Sequence, residues 1–157
     1  MRVTGGTARS LTLRSPVAPG VRPTTDRVRA ALFSILTAYG IEGTKVADLY
    51  AGTGSLGIEA LSRGAAHADF VEADRRQVAA IRANLTTTRL SERARVHQAK
   101  VEDALPRLGK EYDFLLMDPP YTQPFPTDVV TRVAELGMLA EGGIAIVGHA
   151  SRVEAPE

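Results

Sequence analysis

The chain has 157 residues, 44% of them hydrophobic, with a formal net charge of +1 and no cysteine. That length suits one globular domain with a sizeable core, and the missing thiols exclude a disulfide framework and cysteine-ligated zinc. No run approaches the ~20 apolar residues of a membrane span and the N-terminus has no apolar signal core, so a cytoplasmic protein without a membrane partner is expected.

Charge is unevenly placed. Residues 1–30 carry Arg2, Arg9, Arg14, Arg22, Arg27 and Arg29 against Asp26, or 6 − 1 = +5, which leaves 13 basic and 17 acidic side chains, or −4, for the rest. Arginines gathered in one segment can displace counterions from phosphates, so a polyanion partner and a merely solvated arm are the two readings of this arm. "RVTGGTARSLTLR" (Arg2 to Arg14) offers two short β-compatible pieces around Gly5 and Gly6, a candidate hairpin. "RPTTDRVRAALFSILTAYG" (Arg22 to Gly40) follows as a helix, with Thr24 or Thr25 as N-cap, Gly40 as stop, and Val28, Ala31, Leu32, Ile35 and Leu36 on one face.

Apolar runs suited to buried strands come next: Lys45 to Tyr50, Ala68 to Glu72, Ala94 to Gln98, Tyr112 to Met117 and Ile144 to Gly148. Helical patterns lie between and around them at Ser55 to Arg63, Arg75 to Thr88, Val101 to Leu108 and Thr127 to Leu139. Alternating strands and helices imply right-handed crossovers, and hence an α/β fold whose mostly parallel, doubly wound Rossmann-like sheet is covered on both faces. His67, His97 and His149 are far apart and lack ligand spacing, so no metal site is expected.

The first strand runs into "DLYAGTGSLGIEALSRG" (Asp48 to Gly64), where Gly52, Gly54 and Gly57 spell G-x-G-x-x-G between strand and helix. Such a loop lets backbone amides approach a ligand, and it would suit a nicotinamide dinucleotide with Glu72 on the ribose. Asp48 argues otherwise. An acid at the end of that strand repels a pyrophosphate but suits a cation with ammonium and hydroxyl donors, and S-adenosylmethionine has both a sulfonium and an ammonium. Glu72 suits the ribose hydroxyls in either case, with helix N-terminal charge as its plainer role, and Asp103 is placed to accept from an adenine amine or simply to cap a helix.

"LLMDPPYTQPF" (Leu115 to Phe125) ends an apolar strand on an acid, two prolines and a tyrosine. Two consecutive prolines remove two donors and set two φ angles, so that strand end has a fixed shape. With strand order 3-2-1-4-5, Asp118 to Tyr121 would face the glycine loop across the switch-point crevice. An exocyclic amine has its lone pair delocalised into the ring. The Asp118 carboxylate and Pro119 carbonyl can accept from it and draw the lone pair toward a methyl donor, Pro119 and Pro120 fix the carbonyl's direction, and Tyr121 offers a ring on which an unstacked base can lie.

With these motifs in place, the chain resembles the bacterial family of class I S-adenosylmethionine-dependent methyltransferases that modify guanine N2 in small-subunit (16S) ribosomal RNA. "GGTARSLTL", "RPTTDRVRAALFSIL", "DLYAGTGSLGIEALSRGA", "FVEADR", "EDAL" and "DPPY" carry the resemblance in order. It implies cofactor contacts along Asp48, Tyr50, Ala51, Gly52, Thr53, Gly54, Gly57, Glu72, Ala73, Glu102, Asp103 and Asp118, catalysis at Asp118 to Tyr121, and RNA contacts from Arg2, Arg9, Arg14, Arg22 and Arg27. It also implies 16S ribosomal RNA, or a small-subunit assembly particle, as partner. Members usually carry a further helix and two strands, so C-terminal strands are expected to be missing here. The oligomeric state is not legible in the sequence, and a monomer is one option. Adenine N6 or cytosine N4 is the alternative acceptor. A nicotinamide-dependent oxidoreductase and a non-catalytic RNA-binding module are the readings from other classes.

Overall fold

In the computed structural model, residues 1–16, 25–120 and 122–148 are described; Arg22, Tyr121 and His149 lie outside them. Five strands, β1 (Lys45–Leu49), β2 (His67–Glu72), β3 (Ala94–Gln98), β4 (Tyr112–Met117) and β5 (Leu139–Val147), form one sheet in the order β3-β2-β1-β4-β5. Every pairing is parallel. The helices are α1 (Asp26–Tyr39), α2 (Ser55–Ser62), α3 (Arg75–Thr88), α4 (Val101–Ala104) and α5 (Thr127–Glu135).

Side chains alternate between the two faces of the sheet, which gives two cores. Val46, Phe70, Phe114 and Leu116 pack against Phe33 and Leu36 of α1, Ile58 and Leu61 of α2, and Ile81 and Leu85 of α3. Ala47, Leu49, Val71, Leu115 and Met117 pack on the other face, against Val101 and Ala104 of α4 and Val129 and Val133 of α5. The central strands are buried on both sides, which is why they read as continuous apolar runs.

The expected N-terminal hairpin is present in a short form: its two pieces pair antiparallel through the Arg2–Thr12 bridge, with the Val3 amide donating to the Leu11 carbonyl, the Ser10 amide to the Val3 carbonyl and the Leu13 amide to the Met1 carbonyl, and Val3, Ala8 and Leu13 anchor it in the core. Three expectations change. Helix α1 has Thr25 as N-cap, accepting from the Val28 amide, and a left-handed Gly40 at φ 93°, but its face is rotated from the one expected. Arg29, Phe33 and Leu36 point inward while Val28, Ala31 and Ile35 are exposed. Arg29 is 0% exposed and forms ion pairs with Asp26 and Glu59, so it does not add to the surface charge of the arm. Helix α4 gives way at Leu105–Arg107 to a tighter turn holding Pro106, whose missing N–H cannot extend an α-helix. Lastly, α5 stops at Glu135 and Gly137 turns at φ 59°, so β5 begins at Leu139, five residues before the expected start.

Candidate active site

The site is built where the chain leaves β1. Asp48 is 1% exposed beneath the loop, and its Oδ2 accepts from the Gly57 amide at 2.9 Å. Its Oδ1 is buried and has no hydrogen-bond partner among the described residues. Burial first, and the nearby charges of Asp118 and Glu72 second, push this carboxyl well above the ordinary aspartate range, against the single donation from Gly57. Tyr50 then leaves the strand at φ 60°, Gly52 follows at φ 58°, and Gly54 opens α2 at φ 82°. Gly57 is required for packing. A Cβ there would stand 2.3 Å from a ring carbon of Phe70, so only glycine lets α2 lie this close to β2.

Glu72, at the end of β2, braces the loop from the side. Its Oε1 accepts from the Gly52 amide at 2.8 Å and its Oε2 from the Asp74 amide at 2.7 Å. Thr53 is held from below, its carbonyl accepting from Asn84 Nδ2 at 3.0 Å. Across the crevice β4 delivers Asp118, and register places Asp48 beside Leu116, two residues upstream of it. The chain just after β5 passes so near that a Cβ on Gly148 would meet Asp118 Oδ1 at 2.7 Å, so a larger residue there would shift the carboxylate.

A pocket of about 700 Å³ opens between these strand ends. Of the residues expected from sequence, Tyr50, Gly52, Glu72, Ala73, Glu102, Asp118, Pro119 and Pro120 line it. Asp48, Ala51, Thr53, Gly54 and Gly57 lie in or under the loop instead, where they set its shape. Asp103 is exposed on α4 and outside the lining, while its neighbour Glu102 forms part of the wall. Burial and the Glu102 charge push the Tyr50 hydroxyl up to about 12, so it remains a neutral donor at physiological pH.

Seven wall residues were not among the site residues expected from the sequence: Val71, Asp74, Gln77, Ala99, Lys100, Val101 and Gln123. Gln77 is 4% exposed and its Oε1 has no partner among the described residues, leaving a buried acceptor among the wall residues. Its only sequence signal was its place in the first turn of the helix after Glu72. Of the arm residues, Arg2, Arg9, Arg14 and Arg27 are exposed.

Four acids line the pocket, Glu72, Asp74, Glu102 and Asp118, against one base, Lys100. With the unpartnered Asp48 oxygen below, this wall fits a ligand with positive charge and hydroxyl donors, and it disfavours the pyrophosphate of a nicotinamide dinucleotide. An acidic pocket beside the glycine loop that follows β1, faced by an acid-Pro-Pro segment at the end of β4, is the site of a class I S-adenosylmethionine-dependent methyltransferase.

The particular family follows from comparison. The model of the family described as "Conserved hypothetical protein 95" matches residues 1–157. "Putative rRNA methyltransferase YlbH" of Bacillus subtilis is 36% identical over 160 residues, covering 100% of this chain and 86% of that protein. "Ribosomal RNA small subunit methyltransferase D" of Escherichia coli K12 is 35% identical over 147 residues, covering 94% and 73%. A solved hypothetical protein of Thermus thermophilus superimposes with a TM-score of 0.87 at 31% identity, covering 99% of this chain and 90% of its own. The chain belongs to this conserved family of methyltransferases, and it is a methyltransferase enzyme.

Proposed function

We propose that this protein, as one methyltransferase domain over residues 1–157, transfers a methyl group from S-adenosylmethionine to the exocyclic N2 amine of a guanine in small-subunit (16S) ribosomal RNA. The observation that carries the reading is that Gly52 of the glycine loop and Asp118, Pro119 and Pro120 of the β4 end line one pocket. The relatives' names supply the RNA class, and four exposed arginines of the N-terminal arm, Arg2, Arg9, Arg14 and Arg27, supply a surface for its phosphates.

Each group has a role. Glu72 offers its carboxylate to the ribose hydroxyls, and the Asp48 charge beneath the loop complements the cationic end of the cofactor. Ala51, Thr53 and Gly54 carry the loop, Ala73 and Tyr50 flank the adenosine, and Glu102, with Asp103 behind it, faces the base. When bound, S-adenosylmethionine supplies an electrophilic methyl group on a sulfonium. The Asp118 carboxylate and the Pro119 carbonyl accept from the guanine amine, pulling its lone pair out of conjugation and aiming it into the pocket. As the amine turns cationic, Asp118 stabilises it and then receives the displaced proton. Pro120 keeps the preceding carbonyl in place and Tyr121 stacks on the flipped base.

Incubation with labelled S-adenosylmethionine and unmethylated small-subunit particles, followed by nucleoside analysis, tests this. N2-methylguanosine is the expected product. Label in N6-methyladenosine or N4-methylcytidine would move the assignment to another amine, and unlabelled RNA would overturn it.

A further inference from the structure

Beside the cofactor pocket, on the outer side of α3, Arg14, Ser15, Pro16, Arg76, Ala79 and Ala80 enclose a second, shallower pocket of about 410 Å³. Arg76, Ala80 and Asn84 follow one another at intervals of four residues and so share a helix face, with Ala79 beside them. Asn84 is 1% exposed and grips the arm by both backbone groups of Arg14. Its Oδ1 accepts from the Arg14 amide at 2.7 Å, and its Nδ2 donates to the Arg14 carbonyl at 3.0 Å. The same Nδ2 donates to the Thr53 carbonyl of the glycine loop. Ser15 and Pro16 share this pocket with Ala79, Ala80 and Arg76 of α3, and Asp74 and Gln77, the neighbours of Arg76 in sequence, line the cofactor pocket.

Two exposed arginines, Arg14 and Arg76, therefore line one concavity, and neither has an ion-pair partner among the described residues. This contrasts with Arg29 and Arg63, whose charges are consumed by Glu59. Two unpaired planar forks over a floor of alanines suit a tetrahedral anion, with room for the sugar that carries it. Because the Arg14 backbone is pinned to α3, that fork is presented at little entropic cost.

We infer that Arg14 and Arg76 form a phosphate subsite for the backbone of the substrate RNA strand, held by Asn84 at a set position beside the cofactor loop. The inference rests on the RNA reading above and adds to the arm's Arg14 a second phosphate-binding group from outside the arm, Arg76 of α3. It places the strand across the first turn of α3 on its way to Asp118.

The test is RNA binding by R14A, R76A and R14A/R76A, measured against salt with protein-free 16S RNA and with small-subunit particles. The double variant should bind about tenfold more weakly, as expected for lost charge-assisted hydrogen bonds. Its logarithmic salt slope should be shallower by about one phosphate contact, or 0.7 to 0.9. R76K should restore the slope but not the whole affinity, because lysine keeps the charge without the fork. Affinity for S-adenosylmethionine alone should be unchanged in all variants, which shows that they remain folded. A wild-type slope in R14A/R76A overturns the subsite. A defect on particles with none on protein-free RNA also overturns it, since the pocket would then take an acidic protein surface. Failure of the wild-type protein to methylate any RNA overturns the functional reading and the subsite with it.

Discussion

On one side of α2, Asp48 is 1% exposed, accepts one hydrogen bond from the Gly57 amide and keeps an oxygen without a partner among the described residues. On the other, Glu59 is 0% exposed and accepts five, from the Thr4 amide and hydroxyl, the Gly5 amide, Arg29 Nε and Arg63 Nε. The two acids also titrate in opposite directions. Burial raises both, but around Glu59 the donors led by the Thr4 amide and Arg63 outweigh it and hold the carboxyl below its ordinary value. Around Asp48 burial wins, and like charges at Asp118 and Glu72 add to it. A carboxylate that ties the N-terminal arm to α1 and α2 is saturated by the protein's own donors. One beneath a pocket is left short, which costs stability in the free protein and leaves charge and acceptor capacity for a ligand.

Glu59→Gln attacks the saturated side and should have the largest effect. It removes the buried one of the two acids that pair with Arg29 among the described residues and leaves the half-exposed Asp26, so a loss of about 3 to 5 kcal/mol is expected, toward the lower end because that acid remains. Urea unfolding at constant slope measures it. An unmoved midpoint would mean that the five donors contribute no net stability. The pH dependence has a definite sign: with a folded value below the unfolded one, Glu59 stabilises above its unfolded pKa and loses that contribution as pH falls through the folded one. Glu59→Gln should therefore flatten the acid limb of the stability curve.

Asp118→Ala attacks the unsaturated side at the reaction itself. Removing a preorganised partner for the developing ammonium should lower the single-turnover methylation rate by about 10² to 10³, with cofactor affinity near that of the wild type. Asp118→Asn, which keeps an acceptor oxygen, should fall between. A wild-type rate in Asp118→Ala would make the acid-Pro-Pro segment a structural turn only.

Asp48→Asn sharpens the comparison with the smallest change. S-adenosylmethionine affinity should drop about tenfold by calorimetry, the scale of one lost charge-assisted contact. The free protein should be no less stable, since a neutral amide escapes the burial cost of the charge. Here the raised folded value means that Asp48 stabilises below its unfolded pKa and loses that contribution as pH rises through the folded one. The variant should lack this alkaline decline. Retained affinity together with a loss of stability would show that Asp48 is structural, like Glu59.

Local pattern alone determined much of this molecule. Continuous apolar runs placed β1 and β4, helical periodicity from Arg75 to Thr88 placed α3, and the alternation of strands and helices gave a mostly parallel sheet, whose order matches the 3-2-1-4-5 arrangement assumed for the crevice. The glycines and the Asp118-Pro119-Pro120 segment were legible because backbone constraints leave a mark at the residue itself. The faces and partners were decided elsewhere. Whether α1 turns Ile35 or Arg29 inward depends on Glu59, 30 residues downstream of Arg29, and periodicity carries no information about that acid. The place of Glu102 rather than Asp103 in the pocket wall follows from the rotation of a four-residue helix, and no pattern that short has a readable phase. Gln77 and Asn84 resembled any polar helix residues. Only the packing of α3 against β2, the glycine loop and the arm buried them and turned one toward the cofactor pocket and the other toward Arg14 and Thr53, because burial and hydrogen-bond partners arise from contacts between segments distant in sequence.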